Sequence, residues 1–424
     1  MIHQRITLRV KEARVVVTKH PGGGKVRFQS TKNSLILLLF LPIFSHAGEG
    51  VFLSCNDAIQ LGRASSGVAS PRSSYWSYMN PASMVDLDRR LDVNLYTVYD
   101  SFKLTPRGIL GNRLDGTLDS EGLFPIVTTS IILPVETGVL GGGIFVPSGS
   151  GVEYPHSRNV VSRIFHANGD RRMALQHIRG VLSYAHQFDN GWSVGFGLHL
   201  SVTRFRADHL TLNLSTAAYD NKWDAAYGAG FDVGLYRRWE RFALGANYTS
   251  RHWMESMGKY GDLLSSPLDM PHSLQVGFAY KLLPSLEITA DYRWLLWEEV
   301  KAYGSSIFNG GGFGWKDQHG IKLGIEWLAG SKWTLMAGYA YSNSPIQEKG
   351  VFLAGLAPVI FEHHVTAGIS YQVNEKNAIH FAVGCAPKQQ MKESGTGDLL
   401  SVLGKGTEIE VNAISACLGY SYLW

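Results

Sequence analysis

The last eleven residues, Ile414-Ser-Ala-Cys-Leu-Gly-Tyr-Ser-Tyr-Leu-Trp424, restrict the folds open to this chain. Even positions hold Ile414, Ala416, Leu418, Tyr420, Tyr422 and Trp424. Odd positions hold Ser415, Cys417, Gly419 and Ser421, with Leu423 the one exception. A strand sends alternate side chains to opposite faces, so one face here is apolar with aromatic residues at its end, and the other is small or polar. A water-soluble sheet turns such an apolar face inward. A membrane barrel turns it outward to lipid and keeps the small polar face for the lumen.

The same alternation recurs along the chain. Trp192, Val194, Phe196, Leu198 and Leu200 alternate with Ser193, Gly195, Gly197, His199 and Ser201; Trp333 to Tyr341 repeats the pattern. From Leu91 onward fourteen strands are expected. They are Leu91–Tyr99, Phe124–Pro134, Gly138–Val146, Ile178–Phe188, Trp192–Phe205, Ala226–Tyr236, Arg241–Ser250, His272–Lys281, Ser285–Trp297, Gln318–Leu328, Lys332–Ser342, Glu362–Gln372, Asn377–Ala386 and Glu408–Trp424. Their connections alternate long and short: tight links such as Asp189-Asn-Gly191 and Leu282–Pro284 are each followed by a long one such as Arg206–Ala225 or Glu298–Asp317. Outer-membrane barrels show this rhythm, with short periplasmic turns and long extracellular loops. A β-propeller would show repeated blades instead, and the chain has none. The expected fold is therefore an all-β, antiparallel up-and-down transmembrane barrel. An aromatic residue closing the last strand resembles the C-terminal assembly signal of bacterial outer-membrane barrels, here Tyr420, Tyr422 and Trp424. Phe is the usual last residue, so Trp424 is a small departure. The resemblance implies the barrel-assembly machinery as a partner.

Composition agrees. Charged residues make up only 17% of the chain and glycine contributes 47 residues, which suits alternating strands better than a charged soluble enzyme. The net charge of +4 does not point to nucleic acid. Eight basic residues and one acid, Glu12, precede Gly48, so residues 48–424 sum to −3. Within residues 1–47, the ten apolar residues Leu35–Phe44 follow Lys32 and precede Ser45-His46-Ala47, the layout of a cleaved secretory signal peptide. The start is longer than a leader requires, with Lys25 a better candidate for its beginning. Cys55, Cys385 and Cys417 are odd in number and show no metal-ligand spacing. Cys385 continues the Ile379, Phe381, Val383 face and Cys417 the opposite kind of face, so all three are expected unpaired.

Residues 48–90 have no clean period. They hold the Gly/Ala-rich Leu61–Ala69, then Asn80-Pro81-Ala82, then a hydrophobic residue before the first strand. This stretch is similar to the N-terminal region of the FadL/TodX (OmpP1) family of outer-membrane long-chain fatty acid and aromatic hydrocarbon transporters. Asp269-Met-Pro-His272 and Gly338–Ile346 look like the family's later strands. The resemblance implies a fourteen-stranded barrel (residues 91–424) plugged from the periplasmic side by an N-terminal hatch (residues 48–90) that includes Asn80, Pro81 and Ala82. Where the family often carries an acidic pair, this chain has Arg72-Ser73-Ser74. The resemblance also implies a kink in the third strand that opens the wall sideways, and Gly141, Gly142 and Gly143 are the candidates for it, since glycine runs weaken strands. Equally, these glycines make room for the hatch.

Strand parity sends His199, Glu287, Asp291, Arg293, Lys322 and Glu326 into the lumen. His199, Arg293 and Lys322 are the candidate ligand contacts, because a desolvated carboxylate needs a cationic partner; pairing with neighbouring acids or the hatch is the plainer role. Apolar residues in long loops (Val160, Val161, Ile164, Phe165, Leu263, Leu264, Val351–Leu353, Leu356, Val359) either capture hydrophobic ligand or pack between loops. His156, His166, His177, His186 and His199 have no metal spacing, and no Ser sits in a nucleophile elbow. The expectation is a monomeric, passive outer-membrane channel for a fatty acid, aromatic hydrocarbon or related apolar molecule, in contact with outer-membrane lipid, with no cofactor, metal or catalysis. A non-transporting adhesion barrel is one alternative. An outer-membrane lipid hydrolase is the other, favoured if an inward Ser and His lie within hydrogen-bond reach.

Overall fold

A computed structural model of the chain describes residues 7–10, 13–16, 48–111, 117–157, 169–208, 222–261 and 264–424. Met1–Leu41 is one compact unit and Pro42–Trp424 another. The described part of the first is an antiparallel pair, Thr7–Val10 against Ala13–Val16. The expected leader, Leu35–Ala47, lies outside the described residues.

The second unit is a closed wall of fourteen antiparallel strands, matched one to one with those expected from the sequence. They are β1 (Arg90–Thr105), β2 (Leu118–Val135), β3 (Gly138–Ser157), β4 (Gly169–Gln187), β5 (Trp192–Asp208), β6 (Asp224–Arg238) and β7 (Phe242–Thr249). The second half is β8 (Ser273–Leu283), β9 (Leu286–Leu295), β10 (Gln318–Leu328), β11 (Trp333–Ser342), β12 (His363–Asn374), β13 (Asn377–Lys392) and β14 (Glu408–Leu423). Each strand pairs with its neighbour in sequence, and β14 returns to β1 from Leu423↔Arg90 to Glu408↔Thr105, which closes the sheet. In hydrocarbon no water is available to an unpaired backbone group, so closure is what lets strands cross at all.

The faces are inverted relative to a soluble protein. Outward positions carry Leu182, Phe196, Leu198, Ile321, Leu323, Ile379 and Phe381, all exposed, with Leu200 reaching 74%. Inward positions carry buried Asp92, Asn94, Ser183, Ser201, Asp232, Asn247, Thr289 and Ser421. In water each such exposed leucine would forgo about 1.5–3 kcal/mol of burial; facing lipid, it forgoes nothing. Aromatic residues mark the two rims of this band. At the turn end Trp192 lies 6.2 Å from Trp239 and Tyr422 stacks on Trp424 at 5.5 Å. Near the loop end three hairpins repeat one contact: Tyr248 to His272 at 2.7 Å, Tyr292 to His319 at 2.7 Å and Tyr339 to His363 at 2.8 Å.

Several strands run past their expected ends on the loop side: β1 to Thr105 rather than Tyr99, β3 to Ser157 rather than Val146, β13 to Lys392 rather than Ala386. On these extensions the inward face is buried against the long loops, with Phe102 beside Phe361 and the Tyr154 hydroxyl donating to Gly355 O at 2.9 Å, and the apolar-out, polar-in alternation that marks a spanning strand ends. Leu198→Arg, at an outward position flanked on the same face by Phe196 and Leu200, should therefore destabilise the folded barrel by about 2–4 kcal/mol if it lies near the bilayer midplane. Urea titration of barrel folded into liposomes measures this, and Ser331→Arg in a turn should leave the midpoint unchanged.

Candidate functional site

Residues 48–89 lie against inward-facing side chains, and their local structure follows from a few residues. Asp57 caps the helix Ala58–Gly62 (α1) by accepting from the Gln60 amide at 2.9 Å. Ala64 and Ser65 then take φ of 51° and 63°, a left-handed step that reverses the chain. A second helical turn, Trp76–Met79 (α2), leads to Asn80, whose Oδ1 accepts from Ala82 at 3.2 Å and caps the 3-10 helix Pro81–Asp86. The Asn80 amide group donates to Val68 O at 2.9 Å and to Leu235 O of β6 at 3.3 Å. Thus Asn80, Pro81 and Ala82 anchor the segment to the wall. Facing glycines Gly195 and Gly234 give them space: a Cβ on either would collide with Asn80, Pro81 or Ala82.

Acids on the strands hold the same segment. The Val68 amide donates to Asp291 at 2.9 Å, and the Ser74 amide to Asp92 at 2.7 Å. Arg72 bridges Glu287 and Glu326, each at 2.7 Å, and buried Arg63 lies 3.6 Å from Glu326. Buried carboxylates are tolerable only with partners such as these. Arg72, standing where the family often has acids, therefore finds its own acidic partners in the wall.

Two of the three lumen candidates meet on one carboxylate. Glu49 lies 2.5 Å from Arg293 and 3.1 Å from Lys322, and the Arg293 guanidinium sits 5.1 Å above the Phe52 ring. Burial pushes the Glu49 carboxyl up, and the two cations more than offset this, holding it down at about 2. Gly50, at φ 62°, turns the chain tightly under the Trp297 ring, so that Glu49 O accepts from the Phe52 amide at 3.1 Å. Beside this clamp a void of about 40 Å³ is lined by Phe52, Leu53, Tyr78, Arg179, Arg293 and Lys322. It has room for a few waters. A larger cavity, about 470 Å³, opens at the turn end beside Arg72, Arg90 and Arg238. Glu49 was not singled out by the sequence. Its one signal is position, an acid two residues beyond the expected cleavage site.

His199, the third candidate, contacts neither. It lies 3.0 Å from His252 through Nδ1, and its Nε2 is 3.1 Å from Asp232 without the alignment of a hydrogen bond. His252 Nδ1 in turn lies 2.8 Å from Ser201 Oγ. An inward Ser and His are thus within reach of each other, but Ser201, His199, His252 and Asp232 are all buried. Protons arrange consistently along the row, with Ser201 donating to His252 and His252 to His199. The sequence could not show this row, since His252 lies beyond its strand and Asp232 on the next one.

The wall departs from regular pairing between β2 and β3. Their ladder runs from Val135↔Gly138 to Thr129↔Ile144 and stops. Beyond it β2 stays with β1 up to Leu118, and β3 stays with β4, with a register shift between Phe145 and Ser148. Gly141, Gly142 and Gly143 are not the departure: each is in register with both neighbours, Gly142 with Ile131 and Leu182. Gly141 instead makes room, for a Cβ there would strike Met84 and Ser77. The break starts at Phe145 and Pro147, the residue with no amide hydrogen to give. Residues of the inner segment take the vacated place. The Leu53 amide donates to Pro147 O at 2.8 Å and Gly149 donates to Val51 O at 3.0 Å. Asn56 bridges the lower rim, accepting from Thr128 Oγ1 at 2.6 Å and from the Val146 amide at 2.8 Å.

Of the loop residues expected to form an apolar capture surface, Val351 and Val359 are buried in the main core with Phe102 and Phe361, Leu264 and Leu356 pack against it, and Leu353 is buried, so they pack rather than present. Val160, Val161, Ile164, Phe165 and Leu263 lie outside the described residues. Exposed apolar residues appear instead on two adjoining loop helices, Ile109 on Gly108–Gly111 and Leu399 and Val402 on Leu399–Leu403. Tyr420, Tyr422 and Trp424 all point outward and are exposed at the end of β14. Among the described residues no group of three or more His, Cys, Asp or Glu is placed to hold a metal ion.

Residues 45–423 match the family model described as "Outer membrane protein transport protein (OMPP1/FadL/TodX)". No curated protein matches the chain. Among solved structures, the Pseudomonas putida toluene transporter TodX is similar with a TM-score of 0.66 and 16% identity, over 90% of this chain and 99% of that one. A Pseudomonas aeruginosa FadL homologue gives 0.67 and 16%, over 88% and 99%. The Ralstonia pickettii toluene transporter TbuX gives 0.64 and 17%, over 88% and 99%. At these identities the structures speak for the fold, and the family model for membership: this chain belongs to the OMPP1/FadL/TodX family of outer-membrane transport proteins.

Proposed function

We propose that the protein is a passive channel for hydrophobic molecules, taken up by the outer loops, bound in the lumen and released sideways through the wall. The observation that carries this is the placing of residues 48–54, which join two sites. At one end Glu49 occupies Arg293 and Lys322, where the carboxylate of a long-chain fatty acid would sit. At the other, Val51 and Leu53 cover the edge of β3 that β2 has left. The 40 Å³ void beside the clamp is too small for an acyl chain, so a ligand has to displace Phe52 and Leu53 to bind. Displacing them strips the cover from the β2–β3 gap. Residues 55–89, held by Asn80 and the strand acids, act as the hatch and stay in place, and the gap at 145–152 is the lateral opening. Ligand enters from Ile109, Leu399 and Val402, the apolar patch on the loops. The names of the similar structures, toluene transporter and FadL homologue, agree with a hydrophobic cargo.

The contact between Ser201 and His252 favours one other reading, a serine hydrolase of lipids. A fluorophosphonate probe decides it: Ser201 labelled in the folded barrel supports hydrolysis, and labelling absent under conditions that label a control serine hydrolase contradicts it.

Uptake of labelled long-chain fatty acid, with toluene in parallel, is the direct test, in a host lacking its own fatty-acid channel. Uptake above the empty-vector level is expected. Its absence for both ligands, with the barrel shown folded in the outer membrane, would overturn the transport reading. The clamp makes a finer prediction. Arg293→Gln combined with Lys322→Gln should lower apparent fatty-acid affinity about tenfold or more, as losing charged hydrogen bonds worth about 1.5–3 kcal/mol requires. Toluene, which has no carboxylate, should be taken up as before. Glu49→Gln should act oppositely and raise fatty-acid affinity, because it removes the internal competitor.

The pH dependence follows from the depressed Glu49 carboxyl. Its contribution is complete above the usual glutamate range and is lost only as pH falls through about 2. Fatty-acid affinity at the clamp should therefore show no step from Glu49 between about pH 5 and 8, as measured by fatty-acid binding to the purified barrel in lipid.

A further inference from the structure

All three cysteines are thiols in this structure; Cys55 and Cys417 are buried, and Cys385 is exposed on the outer face. The two buried cysteines, far apart in sequence, belong to one buried cluster with Ala58, Leu61 and Tyr96. Neighbouring contacts fix this juxtaposition independently. Ser54 Oγ lies 3.0 Å from the hydroxyl of Tyr96, and Tyr96 is the cross-strand partner of Cys417. Two residues along, the Ala58 amide donates to Asn94 at 3.0 Å. Asn94 pairs with Gly419, and a Cβ on Gly419 would lie 3.1 Å from that of Ala58. Residues 54–58 therefore run alongside β1 and β14 with Cys55 held at the level of Cys417. In a chain with three cysteines among 424 residues, two lie where the inner segment runs alongside the final strand.

We propose that Cys55 and Cys417 form a disulfide bond in the assembled protein. An outer-membrane protein passes through the periplasm, where disulfides form and persist. The co-reactant is a periplasmic protein disulfide. The thiolate of one cysteine attacks a sulfur of that disulfide and gives a mixed disulfide, with the oxidant's other sulfur leaving as thiolate. The second cysteine of this chain, also as thiolate, then displaces the oxidant. One S–S bond forms here and one breaks in the oxidant; two electrons pass to the oxidant, whose two sulfurs take up the two protons lost by these thiols, so that it leaves as a dithiol. Both sulfurs are sealed once the barrel is complete, so the oxidant acts before the inner segment is buried. Cys385, on the lipid side of β13, keeps its thiol.

The bond bears on transport, a consequence that rests on the channel reading above. It pins the chain at residue 55 and leaves residues 48–54 on a free arm, the same residues that carry Glu49 and cover the β2–β3 gap. Ligand then moves the arm and not the hatch.

Counting thiols tests the bond without reference to transport. Protein isolated from outer membranes is unfolded in urea with a maleimide–polyethylene glycol present and run without reductant. One adduct per chain is expected, at Cys385, rising to three after reduction. Peptide mapping without reductant should then return a single linked species joining the peptides of Cys55 and Cys417. Three adducts before reduction, or a linked species that contains Cys385, would overturn the proposal. Cys417→Ser provides a check on the wild-type count: it should give two adducts before reduction as well as after, and any smaller number before reduction would also overturn it.

Discussion

A wall of strands in lipid can leave no backbone group unpaired, and most of this structure follows from that rule. It requires the sheet to close on itself, which β14 and β1 accomplish over their whole length. It also makes any break in the ladder conspicuous. β2 and β3 part after Thr129 and Ile144, and the β3 edge so exposed would be costly if left bare. Val51, Leu53 and Asn56 supply the missing partners from inside. A gap in the wall and the means of covering it are therefore parts of one arrangement.

The lumen adds a second constraint. Inward carboxylates on β1, β9 and β10 face a low-dielectric interior and need partners. Asp92, Asp291, Glu287 and Glu326 find them in the inner segment, through backbone amides, serines and two arginines. Glu49 reverses the polarity: there the acid is on the segment and the cations are on the wall. Residues 63–74 and residue 49 are thus held by opposite arrangements. On the proposed reading a carboxylate ligand would compete with Glu49 for Arg293 and Lys322, and would have no reason to compete with Arg72 for Glu287 and Glu326.

Much of the wall was legible in the sequence. A spanning strand must alternate, and its turn must be tight, so all fourteen strands and the short links between them could be placed without coordinates. Parity likewise sent Glu287, Asp291, Arg293, Lys322 and Glu326 inward. What the sequence concealed depends on contacts between distant residues. Nothing near Glu49 in the chain shows Arg293 and Lys322, and nothing near Cys55 shows Cys417. Strand ends were set short where the inward face turns apolar against the long loops, as at Phe102 and Val152, and the alternation of the spanning part ends. A glycine run suits a close approach as well as a kink; Met84 and Ser77 lie where a side chain at Gly141 would go, and the ladder between β2 and β3 ends beyond the run, after Ile144.

The route of the ligand is best tested by photo-crosslinking. A long-chain fatty acid with a diazirine at its tail, flashed in cells carrying the protein, marks the residues it passes. Sideways release predicts adducts on the strand edges around the gap, residues 121–128 and 145–152, and on the arm near Phe52. Adducts confined to the turn-end cavity beside Arg72, Ser285 and Gly330, with none at the gap, would show passage straight through the barrel and contradict it.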